Sequence, residues 1–435
     1  MRAVRFAWVF GIFFLFGLSI SASPPAVFAD VAPGDVIDTT NWQKAEGLLP
    51  APVLNWVKKG DFVLNIGELG YDEKEYFDFL VKESLTANIG KYDVNEKDII
   101  VDLKTGKPPE FVSGLPFPDV DPKDPKAGQK FLYNKHYAAF STGNQNVAFQ
   151  AIWVGKSGFE REIGARFVNA PMDGYPPARS ISNPDGIQRY TLISVDRPYD
   201  IAGFNLLLWR YRDDRQDLNL SYIPAIRRVR RMSPANRSDA FVGSDFCIDD
   251  PNGYDGKICM FEWKVLRTQD ALLPCKSKEP ERLVQTKRGA WQTTADVTPS
   301  VYGFQTEGWQ GAPWAPVKLF WVKRRVVVIE AVSKDRYYNY GKQEMWYDPV
   351  ARFPKYKIIY DRAGDYWKTM YVGFSAYGSA DGEMKFMLPD IQDIVDDRSQ
   401  HASLCENASE RNLWKLHAVV DMNDFTLSGF QKYCK

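Results

Sequence analysis

Histidine is scarce in this 435-residue chain, which has three: His136, His401 and His417. They share no motif. The sequence has no HExxH, no GxSxG, no Walker loop and no GxGxxG run. The usual zinc-hydrolase, α/β-hydrolase and nucleotide-binding signatures are therefore missing, and no cofactor or metal site is expected. Asp249, Asp250, Asn252 and Asp255 look superficially like a calcium loop. The twelfth position counted from Asp250 is Phe261, not a carboxylate, so the stretch reads as a turn. Net charge is absent too, with 55 basic against 55 acidic residues. That balance argues against a nucleic-acid partner. Cysteine is thin: five residues, no CxxC and no Cys/His cluster. Beyond residue 20 no apolar run is long enough to cross a bilayer as a helix.

The one long apolar run is at the start. Arg2 and Arg5 precede an almost unbroken apolar stretch from Phe6 to Ile20. Ser21, Ala22 and Ser23 turn polar, and Val27-Phe28-Ala29 suits a signal peptidase. Residues 1–29 read as a signal peptide cleaved before Asp30, so the protein is exported. In an exported chain the default for cysteine is structural disulfides. Cys247 and Cys259 flank a turn and are the best pair. Cys405 with Cys434 would tie down the tail, which leaves Cys275 over. Such a bridge is worth roughly 3 kcal/mol.

The chain changes character near Asn146. Before it, Val53, Trp56 and Val57 share one face of a short helix after Pro52. A clearer helix spans Asp72–Asn88, and another runs from about Ala127 to Phe140 with an aromatic stripe. A proline-rich connection, 108–125, separates these two. From residue 146 the segments are short and rich in Val, Ile, Tyr, Phe and Trp, with turn clusters between them. About ten strands are expected, among them Val147–Val154, Gln188–Asp196, Gly203–Arg212 and Leu218–Ile223. So many antiparallel strands should curl instead of lying flat. The predicted layout is an N-terminal mixed helical segment, 30–145, a curved sheet, 146–387, and a polar, irregular closing segment, 388–435. A helix is expected near Ser409–Val419.

Several strands are apolar on both faces. Leu207, Trp209 and Tyr211 lie on one face of their strand, with Leu206 and Leu208 opposite. Val326 and Val328 lie opposite Val327, Ile329 and Ala331. One face can pack on helices; the other must meet a second layer or line an apolar cavity.

The stretch Asp217–Phe246 stands out. It opens as a strand, is interrupted at Pro224, and then carries Arg227, Arg228, Arg230 and Arg231 within five positions. It ends in an aromatic–Gly–aromatic run. The arginines either pair with the protein's own acids, such as Asp239, Asp245 and Asp249, or meet an anionic headgroup, membrane surface or acidic partner.

The run YIPAIRRVRRMSPANRSDAFVGSDF, with NWQKAEGLLPAPVLNWVKKGDF (Asn41–Phe62) and YYNYGKQEMWYDPVARFPKY (Tyr337–Tyr356), resembles a proteobacterial periplasmic family known as domain of unknown function 1329. The family resembles in turn the outer-membrane lipoprotein-sorting fold of the LolA and LolB carriers. The resemblance implies a β-rich α+β protein: a strongly curved antiparallel sheet, a half-open barrel, with helices covering its concave face. It implies a periplasmic carrier or accessory protein for a lipid or other hydrophobic molecule. A partner would be a resistance–nodulation–division-type transporter or an outer-membrane protein. It supplies no catalytic residues. On this reading Leu207, Trp209, Tyr211, Val327 and Ile329 line the apolar cavity, and Arg228 and Arg230 stand at its mouth as anion or headgroup ligands. Two alternatives stay open: an exported enzyme acting on a lipid or glycan, which needs convergent carboxylates, and a module binding envelope polymers through exposed aromatics.

Overall fold

Strand after strand pairs antiparallel with its chain neighbour. The computed structural model describes residues 31–406 and 413–434. The expected signal peptide lies outside them. One ladder starts at the edge strand Arg228–Arg231 and passes through Leu218–Ile223, Asn205–Tyr211, Ile187–Arg197, Gly158–Pro171 and Gln145–Gly155. It continues through His401–Glu406, Lys385–Asp396, Tyr366–Ser379, Phe353–Tyr360 and Lys342–Asp348. Phe320–Ser333 and Phe261–Cys275 complete it. Short parallel pairings join Glu281–Gln285 to Tyr366–Ser379 and Leu64–Ile66 to Phe320–Ser333. The result is a large, curved, mostly antiparallel sheet. It is not a closed barrel.

The Phe320–Ser333 strand shows why the sheet is apolar on both sides. Val327, Ile329 and Ala331 join the cluster around the Ala127–Phe140 helix. Val326 and Val328 join the opposite cluster, with Val53, Trp56 and Val57 of the Ala51–Lys59 helix. Helices therefore cover both faces, and the sheet is the middle layer. The Ala127–Phe140 helix is buried almost all round, so Phe131, Leu132 and Tyr137 fill the concavity. A side chain at Gly128 would stand 2.9 Å from Trp263 Cβ, so the small residue lets helix and sheet meet closely. The expected Asp72–Asn88 helix is broken into Lys74–Val81 and Ser84–Ala87.

The C-terminal expectation is corrected. Lys385–Asp396 and His401–Glu406 are not irregular; they are central strands of the sheet. Their polar residues hid them. Asp390 accepts from the Tyr377 hydroxyl at 2.8 Å, and Asp396 accepts from Trp367 Nε1 at 2.7 Å. Asp393 accepts from the Tyr302 hydroxyl at 3.2 Å. Partners distant in sequence let a polar strand be buried. The expected Ser409–Val419 helix falls partly on residues outside the description. Within the described part, Trp414–Leu416 is a strand.

Neither expected disulfide forms. Cys247 sits in the core cluster of the central helix, whereas Cys259 lies on the turn that leads into the Phe261–Cys275 strand. Cys405 is on a sheet strand. Cys434 packs with Phe425 and Phe430, its Sγ donating to the Phe430 carbonyl at 3.4 Å.

Candidate functional site

Strand register assembles an apolar floor. Ile193 lies opposite Phe167, Phe167 opposite Val147, and Val147 opposite Trp414. A second row pairs Ala151 with Cys405 and Cys405 with Gln392. Val147, Phe149 and Ala151 alternate along one strand and so point to the same face. These residues form one wall of a cavity with about 810 Å³ of empty space, part of it open to solvent. The opposite wall is a separate segment: Phe241, Ser244, Phe246, Cys247, Ile248, Pro251 and Asn252. The wall carries no carboxylate, lysine or arginine. Burial pushes the Cys247 and Cys405 thiols up, so they stay neutral. The chemistry of the space is to shelter apolar groups, with Gln392, Ser244 and Asn252 as its few polar atoms.

The roof segment is fastened at both ends by polar contacts. At one end, Asp245 accepts from Ser403 Oγ at 2.8 Å and meets His401 Nδ1 at 2.6 Å. Lys368 Nζ donates to the Asp245 carbonyl at 2.6 Å, and Trp153 Nε1 donates to the Gly243 carbonyl at 2.8 Å. Its hydrogen bond to Asp245 raises the His401 pKa above the usual histidine range; burial opposes this and Glu160 adds to it.

At the other end lies a buried cluster of charge. Lys357 Nζ bonds Asp250 at 2.5 Å, and both side chains are fully buried. Tyr340 donates to Asp250 and Tyr338 to Asp249, each at 2.9 Å. Arg237 Nε donates to Asp249 at 2.7 Å. Next to these, Arg189 pairs with Asp255, Arg210 Nε bonds Asp217 at 3.0 Å, and Lys257 bonds Asp217 at 3.1 Å. Burial alone would raise the Asp255 pKa, but Arg189, Arg210 and Lys135 outweigh it and hold the carboxyl below its usual range. Burial pulls Lys135 down to about 7 against the pull of Asp255. Among the described residues no group of three His, Cys, Asp or Glu could hold a metal ion.

The residues expected to line a cavity lie elsewhere. Leu207 is buried and Trp209 half-buried beneath the C-terminal segment, packed with Phe425, and Trp209 Nε1 donates to the Phe425 carbonyl at 2.7 Å. Tyr211 stacks under Arg215, with the guanidinium 4.3 Å from the ring centre. Val327 and Ile329 pack on the central helix. None of the five borders the cavity. Arg228 and Arg230 are exposed on the edge strand, also outside it. Of the acids offered as partners, Asp249 pairs with Arg237, which lies six residues past the cluster. The lining residues that went unnamed are Phe149, Phe167, Ile193 and Trp414 on the floor and Phe241 and Phe246 on the roof. Their signals were in view: the same-face alternation of 147, 149 and 151, and the aromatic end of the Asp217–Phe246 stretch.

A family profile described as "Protein of unknown function (DUF1329)" matches residues 36–429. The chain belongs to the DUF1329 family. All three stretches that carried the resemblance fall inside the matched span. No curated protein matches this DUF1329 chain. Among solved structures it is similar to a domain from Vibrio parahaemolyticus described as outer membrane lipoprotein-sorting. That similarity has 16% identity over 72% of this chain and 100% of the other, with a TM-score of 0.48. A DUF1329 family protein from Desulfovibrio piger matches at 14% identity, covering 71% of this chain and 99% of the other, with a TM-score of 0.46. A LolA superfamily protein from Nitrosomonas europaea matches at 12% identity, covering 69% and 98%, with a TM-score of 0.41. No helix among the described residues is long and apolar enough to cross a membrane.

Proposed function

We propose that this protein is a periplasmic carrier that holds a lipid or other hydrophobic molecule between the sheet and the roof segment. One observation carries the reading: an apolar floor built by register is roofed by a separately fastened segment, with space left between them. An interior normally closes such space, because empty apolar volume costs stability. A carrier keeps it because each acyl CH2 left in water costs roughly 0.8 kcal/mol. Transfer between a membrane transporter of the resistance–nodulation–division type and the outer membrane is the envelope role that suits an exported carrier. The absence of carboxylates from the wall weighs against the glycan or lipid hydrolase.

The test is titration of the purified protein with a fluorescent acyl probe, with competition by unlabelled phospholipid. Saturable binding near one probe per chain, displaced by phospholipid, is the expected result. No binding to any of a panel of acyl chains would remove the carrier reading.

A further inference from the structure

The strand Arg228–Arg231 ends the main ladder. It pairs with Leu218–Ile223, and its other edge pairs with no strand among the described residues. Every residue on it is exposed. Arg227, Arg228, Arg230 and Arg231 make no ion pair among the described residues, whereas the interior arginines Arg189, Arg210, Arg212 and Arg237 are all paired. Charge on a free edge is a common guard against strand addition. Here it comes with exposed apolar groups that a guard does not need: Ile226 is 42% exposed and Val229 44%. The loop 198–204 reaches the same end of the sheet, since Asn205 lies opposite Tyr222 and Gly203 stands against Pro224. That loop presents Tyr199, which is 98% exposed. Its one acid is Asp200; Asp196, on the strand before it, lies 4.0 Å from Arg197. They leave a clear cationic surplus along the rim.

This rim adjoins the cavity roof. Phe204 meets Phe241 edge-on with ring centres 5.9 Å apart, and Phe241 borders the cavity. Ile201 packs in the same small cluster as Phe241 and Val242.

We propose that the rim formed by Arg227–Arg231, Ile226 and Tyr199 docks the protein on an anionic lipid bilayer, beside the roof of its cavity. Arginines suit phosphate oxygens through paired donors, and tyrosine suits the headgroup level. Each arginine at an anionic surface should contribute about fivefold in partitioning, so four together contribute on the order of several hundredfold. Binding should weaken steeply with salt, because the groups are solvent-exposed. The purpose of the docking rests on the carrier reading, but the docking does not depend on bound cargo.

The experiment is flotation of the full chain with empty vesicles, in low salt. One set contains phosphatidylethanolamine with phosphatidylglycerol, the other phosphatidylcholine alone. The expected result is flotation with the anionic vesicles only, and its loss at high salt. A variant carrying R227Q, R228Q, R230Q and R231Q should stay behind, with an unchanged circular-dichroism spectrum and unchanged acyl-probe affinity. A milder pair, Tyr199→Ser with Ile226→Ser, should weaken flotation severalfold. Failure of the wild type to float with anionic vesicles would overturn the proposal. So would equal flotation of the four-arginine variant, or a dimer in light scattering that the variant dissolves, which would make the edge a contact between copies. Acyl-probe binding with no flotation would defeat the docking alone; flotation with no acyl-probe binding would defeat the carrier alone.

Discussion

Two faces of one segment, residues 237–257, make opposite bargains with the interior. One face turns Phe241, Phe246, Ile248 and Pro251 to a floor of Phe167, Val147 and Trp414 and leaves space between them. The other sinks Asp249, Asp250 and Asp255 into a cluster with Arg237, Lys357 and Arg189, and the space beside it, lined by Arg237, Asp249 and Lys257, is smaller and charged. Apolar contact is non-directional, so by itself it would collapse the roof onto the floor. Paired charges with hydroxyl donors fix geometry and can hold a surface apart. The difference teaches that paired charge fixes the roof in place while the apolar side leaves space beneath it.

The largest effect is expected from breaking the ionic side. Asp250→Ala would leave Lys357 fully buried without its carboxylate. Loss of about 3–5 kcal/mol in urea unfolding is expected. A loss under about 1 kcal/mol would show that the cluster does not hold the roof. Breaking the apolar side should do the reverse. Phe149 is half-buried, belongs to no core cluster and faces the cavity. Phe149→Asp should abolish acyl-probe binding while the unfolding midpoint stays nearly unchanged. Unfolding of that variant would place Phe149 in the core.

A smaller effect marks where the cavity stops. Trp209→Phe removes a 2.7 Å bond to the Phe425 carbonyl. It should cost about 1 kcal/mol of stability and leave probe affinity as in the wild type; a tenfold fall in affinity would return Trp209 to the binding site. The smallest effect concerns the end of the roof at Asp245. Because the folded-state pKa of His401 is raised, its contribution is complete below the ordinary histidine value of about 6.5. It is lost as pH rises through the raised value. Hydrogen exchange in residues 241–248 should therefore speed up between neutral and mildly alkaline pH, beyond the intrinsic rate change. His401→Ala should make exchange there fast at all these pH values. Identical protection in wild type and variant would remove the latch.

Much of the fold could be read from the residues because local chemistry governs it. The Ala127–Phe140 helix, the Leu218–Ile223 strand and the two-sided apolarity of Phe320–Ser333 follow from periodicity. Lys385–Asp396 escaped because its aspartates are satisfied by Tyr377 and Trp367, one strand away in space. The site was half legible. Asp217–Phe246 does hold the roof's aromatics, and Tyr337–Tyr356 holds Tyr338 and Tyr340, which fasten it. The residues expected to line a cavity fall outside the one between floor and roof, because an apolar strand face reads the same whether a helix, a tail or a ligand covers it. Only the long-range register, such as Val147 against Trp414, decides among these.

The central claim is that the space between floor and roof holds a hydrophobic molecule. The most direct measurement is native mass spectrometry of protein purified from the periplasm without detergent, followed by organic extraction. A discrete adduct of lipid mass on the wild type, missing from Phe149→Asp, is the predicted result. A wild-type protein that is empty, and stays empty after exposure to a panel of lipids, would contradict it.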